Sequence, residues 1–185
     1  MLSERIKKLS KPFHDNLESK SINQNLFSQN ASINDYQRFL SLQYVIFTAL
    51  DSKLNHFLPQ FEKYGIVYIP RGLEAKKELE AYNIPLPKVS FDASFITDFS
   101  SAIAALYITE GSRHGAMVIL KSIRSFMPSD YRFLFLQTNP SLFMQQWKII
   151  IQTIEDYSNT KEKQKKLILD VCKLYLELES FYDEY

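Results

Sequence analysis

The stretch Ala104–Lys121, AALYITEGSRHGAMVILK, carries a strongly apolar helical pattern interrupted by Gly111 and Gly115. At about 3.6 residues per turn, two glycines four apart lie on one face of a helix. Each costs a helix interior roughly 1 kcal/mol relative to alanine, so the pair signals a packing or functional demand. Two demands fit the spacing. One is a second helix crossing close against the bare backbone, the ordinary meaning of GxxxG; the other is a flat ligand lying on that backbone.

Outward from this stretch the pattern stays helical. Phe91–Met127 reads as one long helix, ended by Pro128. Upstream, Leu73–Tyr82 is built from strong helix formers and stops before Ile84-Pro85-Leu86-Pro87. Tyr64–Gly72, YGIVYIPRG, has the β-branched content of a short strand but no partner strand, and it reads as a loop. A longer helix is predicted from Ser32, a plausible N-cap with Asp35 in the first turn. It runs through Ile33, Tyr36, Phe39, Leu40, Tyr44, Phe47, Leu50, Leu54 and Phe57 to an end near Pro59. Ser21–Asn30 is a polar connection anchored by Leu26 and Phe27. Leu2–Ser19 places Leu2, Ile6, Leu9, Phe13 and Leu17 at helical spacing, with Pro12 either kinking the helix or beginning a new one. Downstream, Ser141–Tyr157 follows Pro140 with a wide apolar stripe that includes Trp147. Asn159 and Glu162 form a capping arrangement for a last helix through Leu167, Val171, Leu174, Tyr175, Leu178 and Phe181. No repeat or strand pattern competes, so the expectation is a single all-α domain, a multi-helix bundle over residues 1–185.

Composition narrows the function classes. A formal net charge of +1 provides no global field for nucleic acid or an anionic membrane. The single cysteine, Cys172, excludes an intrachain disulfide and a cysteine-based zinc site; its apolar helical setting predicts a buried small residue. The N-terminus has scattered charges and lacks the apolar core of a secretory signal, and no stretch has the length of a membrane span. A soluble, cytoplasmic protein is expected.

There are three histidines, His14, His56 and His114, and they form no zinc motif. Nor does the chain contain a nucleophile elbow, a P-loop or a dinucleotide fingerprint. His14 has the most specific setting. Glu18 follows one turn later on the same face, where a carboxylate can accept the imidazole's second N–H and leave the other nitrogen free for a metal. Lys7 and Lys11 lie on nearly the same side if the helix continues through Pro12, and their ammonium groups suit the carboxylates of an anionic ligand. An ordinary solvated His–Glu pair fits the same spacing.

Together, two segments resemble a known family. Ser10-Lys11-Pro12-Phe13-His14-Asp15-Asn16-Leu17-Glu18 resembles the bacterial heme oxygenase segment T-x-P-x-H-x-x-L-E, in which the histidine is the proximal ligand of heme iron. About one hundred residues later, Leu106-Tyr107-Ile108-Thr109-Glu110-Gly111-Ser112-Arg113-His114-Gly115-Ala116 resembles the distal-helix segment L-Y-V-x-E-G-S-x-L-G-[GA] of the same family. The resemblance implies heme held between a proximal helix carrying His14 and a distal helix carrying Gly111, Ser112 and Gly115. It also implies cleavage of heme by dioxygen and external electrons to biliverdin, carbon monoxide and ferrous iron. The electrons would come from a ferredoxin, a flavodoxin or a reductase, which Lys161, Lys163, Lys165 and Lys166 would receive. Lys7, Lys11, Tyr107 and Lys173 would meet the heme propionates.

Three positions depart from the family segments: Ser10 replaces the usual threonine, a mild change, while Arg113 and His114 replace a small or polar residue and a leucine. His114 lies about 60° around the helix from Gly111. It could border the pocket and bond oxygen or its water, bind iron as a sixth ligand, or point to a neighbouring helix or solvent. Iron ligation by His114 would favour a heme sensor or carrier over an oxygenase. A third expectation is a helical domain of this kind that has lost heme and binds another small molecule or a protein.

Overall fold

Helix follows the apolar pattern along most of the chain. The computed structural model describes residues 1–28, 30–125 and 127–185, and among these it contains no strand. In chain order the helices are α1 (Leu2–Ser19), α2 (Ser21–Gln24), α3 (Ile33–Leu54), α4 (Leu58–Lys63), α5 (Arg71–Ala81), α6 (Phe99–Ile123), α7 (Pro140–Tyr157) and α8 (Lys161–Glu184). Gln29 of the expected connection and Phe126 of the expected long helix lie outside the described residues. No helix among the described residues is long and apolar enough to cross a membrane.

Of the two expectations for Pro12, a new helix starting there is overturned: α1 runs through it. Pro12 is exposed, so water can take the carbonyl that loses its N–H partner. The first turn of α1 is tied to α7. The Leu2 and Ser3 N–H groups donate to the Glu155 carboxylate at 2.9 and 3.0 Å, and the Ser3 hydroxyl donates at 2.8 Å. These bonds satisfy donors that no helix can satisfy internally.

α3 begins as its cap predicts. Asp35 N–H donates to Ser32 Oγ at 3.2 Å while Ser32 N–H donates to the Asp35 carboxylate at 2.8 Å. Its end is earlier than Pro59: after Leu54 a 3-10 turn leads into α4, where Pro59 sits in the first turn and starts a helix rather than stopping one. α5 also begins earlier than Leu73, which puts Gly72 inside a helix instead of closing a loop. A Cβ at Gly72 would lie 2.7 Å from Thr48 N and 2.8 Å from Thr48 Cα, so α5 and α3 cross backbone to backbone at this point.

The expected helix over Phe91–Met127 is too long. Asp98 caps α6, accepting from Ser101 N–H at 3.0 Å, and residues 91–98 are not helical. There Asp92 accepts from both the N–H and the hydroxyl of Ser94, a local turn that competes with helix, while Phe91, Ala93 and Ile96 are buried as anchors. At α7, Asn139 is the cap and Pro140 the first helical residue. At α8 the cap is Thr160, which accepts from Lys163 N–H at 3.3 Å, not Asn159. Cys172 is half-buried rather than buried.

The core is apolar and mostly aliphatic, with aromatic side chains set into it, and α3 and α5 form one packed pair. α8 packs along both α1 and α6, and α7 also touches both. α1 and α6 are thereby held beside each other on a common support, as a site shared between them requires.

Candidate functional site

On α1, Lys7, Lys11, His14 and Glu18 form a single exposed stripe, because spacings of four, three and four residues return to one side of a helix. The His14 side chain is 52% exposed, with Nδ1 3.6 Å from Glu18 Oε1 and 4.0 Å from Asp15 Oδ1. Those separations suit charge attraction and exceed a hydrogen bond. Lys11 is engaged by Asp15 at 2.6 Å, so it meets solvent as half of an ion pair.

Tyr175, buried on α8, presents its ring to His14 edge-on at 6.1 Å and 76°. Burial raises the Tyr175 hydroxyl well above the ordinary phenol range, and Tyr107 and Glu18 add to the shift. Tyr175 therefore stands between α1 and α6. Tyr107, whose hydroxyl burial also raises, packs on Trp147 of α7 at 5.3 Å.

The glycine face of α6 is open. A Cβ at Gly111 would meet only the Trp147 indole, at 3.7 and 3.9 Å, which is ordinary contact, and one at Gly115 would meet nothing within 4 Å. Neither glycine admits a crossing helix, so that expectation is overturned in favour of open space beside bare backbone. His114 sits exposed between them with its ring edge-on to Phe143 at 4.5 Å and to Trp147 at 5.8 Å. Of the expected orientations, the neighbouring helix is the one observed. Desolvation lowers the His114 pKa and the Lys7 ammonium lowers it further, so α1 faces α6 electrostatically here.

A series of neighbours thus links the two helices: His14 meets Tyr175, Tyr175 senses Tyr107, and Tyr107, Gly111 and His114 all meet Trp147, with Lys7 close enough to His114 to add to the desolvation that lowers its pKa. Two predicted residues do not act there as expected. Lys173 lies over the Phe95 ring at 5.6 Å; two residues from Tyr175 along α8, it projects about 200° away and does not join His14. Ser112 spends its hydroxyl on its own helix, donating to the Thr109 carbonyl at 2.6 Å.

The other face of α6 is occupied by charge that sequence reading missed. Arg113 is buried; its Nε donates to Glu110 at 2.9 Å and its Nη1 to Glu74 of α5 at 3.0 and 3.2 Å. Burial alone would lower the Arg113 pKa, but Glu110 and Glu74 outweigh it and the group is held firmly charged. Glu74 also receives Arg71 Nη1 at 2.8 Å, and the Arg71 guanidinium stacks on Phe135 at 3.9 Å. Nothing in the local sequence pairs Glu74 with Arg113. Trp147 and Tyr175 were visible as members of apolar stripes but not as walls of a site.

The all-α fold agrees with that of a solved heme oxygenase, and part of the sequence matches the family's model. Residues 1–85, less than half of the chain, match the model of the heme oxygenase family. His14 and Glu18 lie within that match, whereas Gly111 and Gly115 lie beyond it. Over its whole length the chain is similar to the heme oxygenase of Neisseria meningitidis, a structure determined with NO and CO bound. The TM-score is 0.71 at 20% identity, covering 100% of this chain and 91% of that one. At that identity the likeness is one of fold. No curated protein matches the chain.

Proposed function

We propose that this protein is a heme oxygenase that binds heme between α1 and α6 and cleaves it to biliverdin, carbon monoxide and ferrous iron. The observation that carries the reading is the open backbone at Gly115, where a Cβ would meet nothing within 4 Å, next to His114, whose pKa desolvation and the Lys7 ammonium of α1 lower. A flat macrocycle needs such a cradle, and a side chain at Gly115 would fill it. The residues present fit heme. His14 supplies an imidazole with Glu18 beside Nδ1, Trp147 and Tyr175 supply aromatic walls, and Lys7 supplies a cation.

Bound heme supplies the redox-active iron and the ring to be opened. In this reading His14 would hold the iron, and Glu18, 3.6 Å from Nδ1, would orient the imidazole on closing to hydrogen-bond distance. Lys7 and Lys11 receive the propionates, Lys11 exchanging Asp15 for the ligand. Tyr107 and Tyr175, both kept protonated by their raised pKa values, offer hydroxyl donors, and Trp147 shields the glycine face from bulk water. External electrons arrive from an acidic ferredoxin or flavodoxin, or from a reductase, in the cytoplasm. Of the lysines that open α8, Lys166 is paired with Asp98 and Asp170, and Lys163 lies over Tyr157. Lys161 and Lys165 have no carboxylate within 4.0 Å among the described residues, which leaves them for such a donor.

One observation favours a second reading, a heme sensor or carrier. His114 lies next to Gly115 with an exposed side chain, and it would have to turn from Phe143 and Trp147 to act as a ligand.

Hemin titration tests both readings. The expected result is a Soret shift that is lost in His14→Ala; a shift indifferent to His14, or none, refutes the assignment. Adding a reductant under air should then replace the Soret band by a biliverdin spectrum. A stable bis-histidine spectrum that His114→Leu abolishes would instead establish the carrier.

A further inference from the structure

Gly111 and Gly115 can serve a flat ligand only while their side of α6 faces α1. On that side Gly111 and His114 meet only the Trp147 and Phe143 rings of α7, contacts without the directionality of a hydrogen bond. The grip is on the opposite side: Arg113 lies about 200° around the helix from each of the two glycines. Its guanidinium donates to Glu110 at 2.9 Å, to Glu74 at 3.0 and 3.2 Å, and to the Ile69 carbonyl at 3.4 Å.

These acceptors are not equivalent. Glu110 belongs to α6 and turns with it, so it cannot fix the helix against its surroundings. The Ile69 bond is the longest of the set. Glu74 is the external anchor, and it is itself anchored. Arg71 Nη1 donates to it at 2.8 Å and to the Phe135 carbonyl at 3.0 Å, with the Arg71 side chain fully buried. α5, which carries both residues, is locked to α3 where Gly72 meets Thr48. A planar guanidinium projects its donors in a fixed fork, so acceptors on several sides define an orientation where an ammonium would define only a distance.

We infer that Glu74 is a positioning residue of the glycine face: acting through Arg113, it sets the rotation of α6 about its own axis and so the geometry offered to a bound ring. The consequence for turnover rests on the heme oxygenase reading; the consequence for the ligand-free protein does not.

The test is Glu74→Gln, which keeps the shape and removes the charge. Trp147 is the only tryptophan in the chain and rests on Gly111, so its emission reports the setting of that face without any ligand. The expected result is a shifted emission maximum with unchanged helicity. In hemin-loaded protein given a reductant under air, a changed ratio of biliverdin isomers should follow, with the His14-dependent Soret band retained. If Glu74→Gln does not fold, the double variant Glu74→Gln with Arg113→Gln removes one carboxylate and the guanidinium together and carries the same expectation. Glu80→Gln is the control. It removes a carboxylate of the same helix that is exposed and paired with Lys76 at 3.6 Å, and should move neither readout.

Unchanged emission in the folded Glu74 variants, an equal shift in Glu80→Gln, or shifted emission with an unchanged isomer ratio overturns the inference. Absence of a Soret response in the unaltered protein would refute the heme reading instead, and the emission measurement would still judge the role of Glu74.

Discussion

Gly72 and the pair Gly111–Gly115 are glycines inside helices of one bundle, and their surroundings are opposite. At Gly72 the backbone of α3 comes so near that a Cβ would lie 2.7 Å from Thr48 N, whereas at Gly115 a Cβ would touch nothing. The first glycine lets two helices meet; the second leaves its backbone uncovered, the feature on which the proposed heme site rests. The same contrast divides α6 lengthwise. Its α5-facing side is filled by Glu110 and Arg113, with charge matched to charge, and its α1-facing side is left bare. A side filled by the protein's own atoms stabilises the fold; a side left bare is a cost that a ligand can recover.

Substitutions on the two sides should therefore differ in sign as well as in size. The largest effect is expected from Arg113→Met, which leaves Glu110 and Glu74 without their shared partner. Breaking a buried pair in this way costs about 3–5 kcal/mol, measurable as a lowered urea midpoint. Gly72→Ala comes next. Because the obstructing atoms belong to Thr48 backbone, the clash resolves only by separating α3 from α5, and overpacking of this kind costs about 1–3 kcal/mol. A melt unchanged by Gly72→Ala would break the comparison outright.

Gly115→Ala should do the reverse. With no clash to offset it, the gain in helix propensity raises the stability of the ligand-free protein by about 0.5–1 kcal/mol. Hemin affinity should fall in the same variant, and a loss of stability there would show that the open face is not open.

The smallest effect concerns His114. Desolvation and Lys7 hold its folded pKa below the ordinary imidazole value, so the unfolded chain binds the proton more readily. Stability should rise with pH from the lowered folded value up to the ordinary one and be flat above it. Over the same window Trp147 emission should increase as the neighbouring imidazolium, a quencher, becomes neutral; His114→Gln should abolish both trends.

How much of this was legible in the sequence depends on the range of the interaction. The Ser32–Asp35 cap, the His14–Glu18 stripe and the glycine pair are set by residues within a turn of one another, and the structure places each where its spacing indicates. Residues 91–98 went wrong because apolar spacing alone was followed past Asp98, whose carboxylate claims the Ser101 N–H and starts the helix there. Gly72 was assigned to a loop because the neighbour that requires it, Thr48, belongs to another helix. Glu74 with Arg113 and Trp147 with Gly111 are likewise meetings between elements, which periodicity along one helix does not encode. Lys173 was placed with the site on charge alone; its position relative to Tyr175 around α8 turns it toward Phe95.

The Glu155 carboxylate has a mechanical consequence. By accepting three hydrogen bonds from Leu2 and Ser3 it splices the start of α1 to α7, the helix that also carries Trp147. Burial opposes its charge, but the bonds from Ser3 and Leu2 prevail and hold its pKa below the usual carboxylate range. The splice is therefore present above the ordinary carboxylate pKa and yields only as pH falls through the lowered one. Down to that acidity the start of α1 cannot lift from the bundle without breaking its joint to Glu155, so the helix bearing His14 and the helix bearing the tryptophan are tethered at that end.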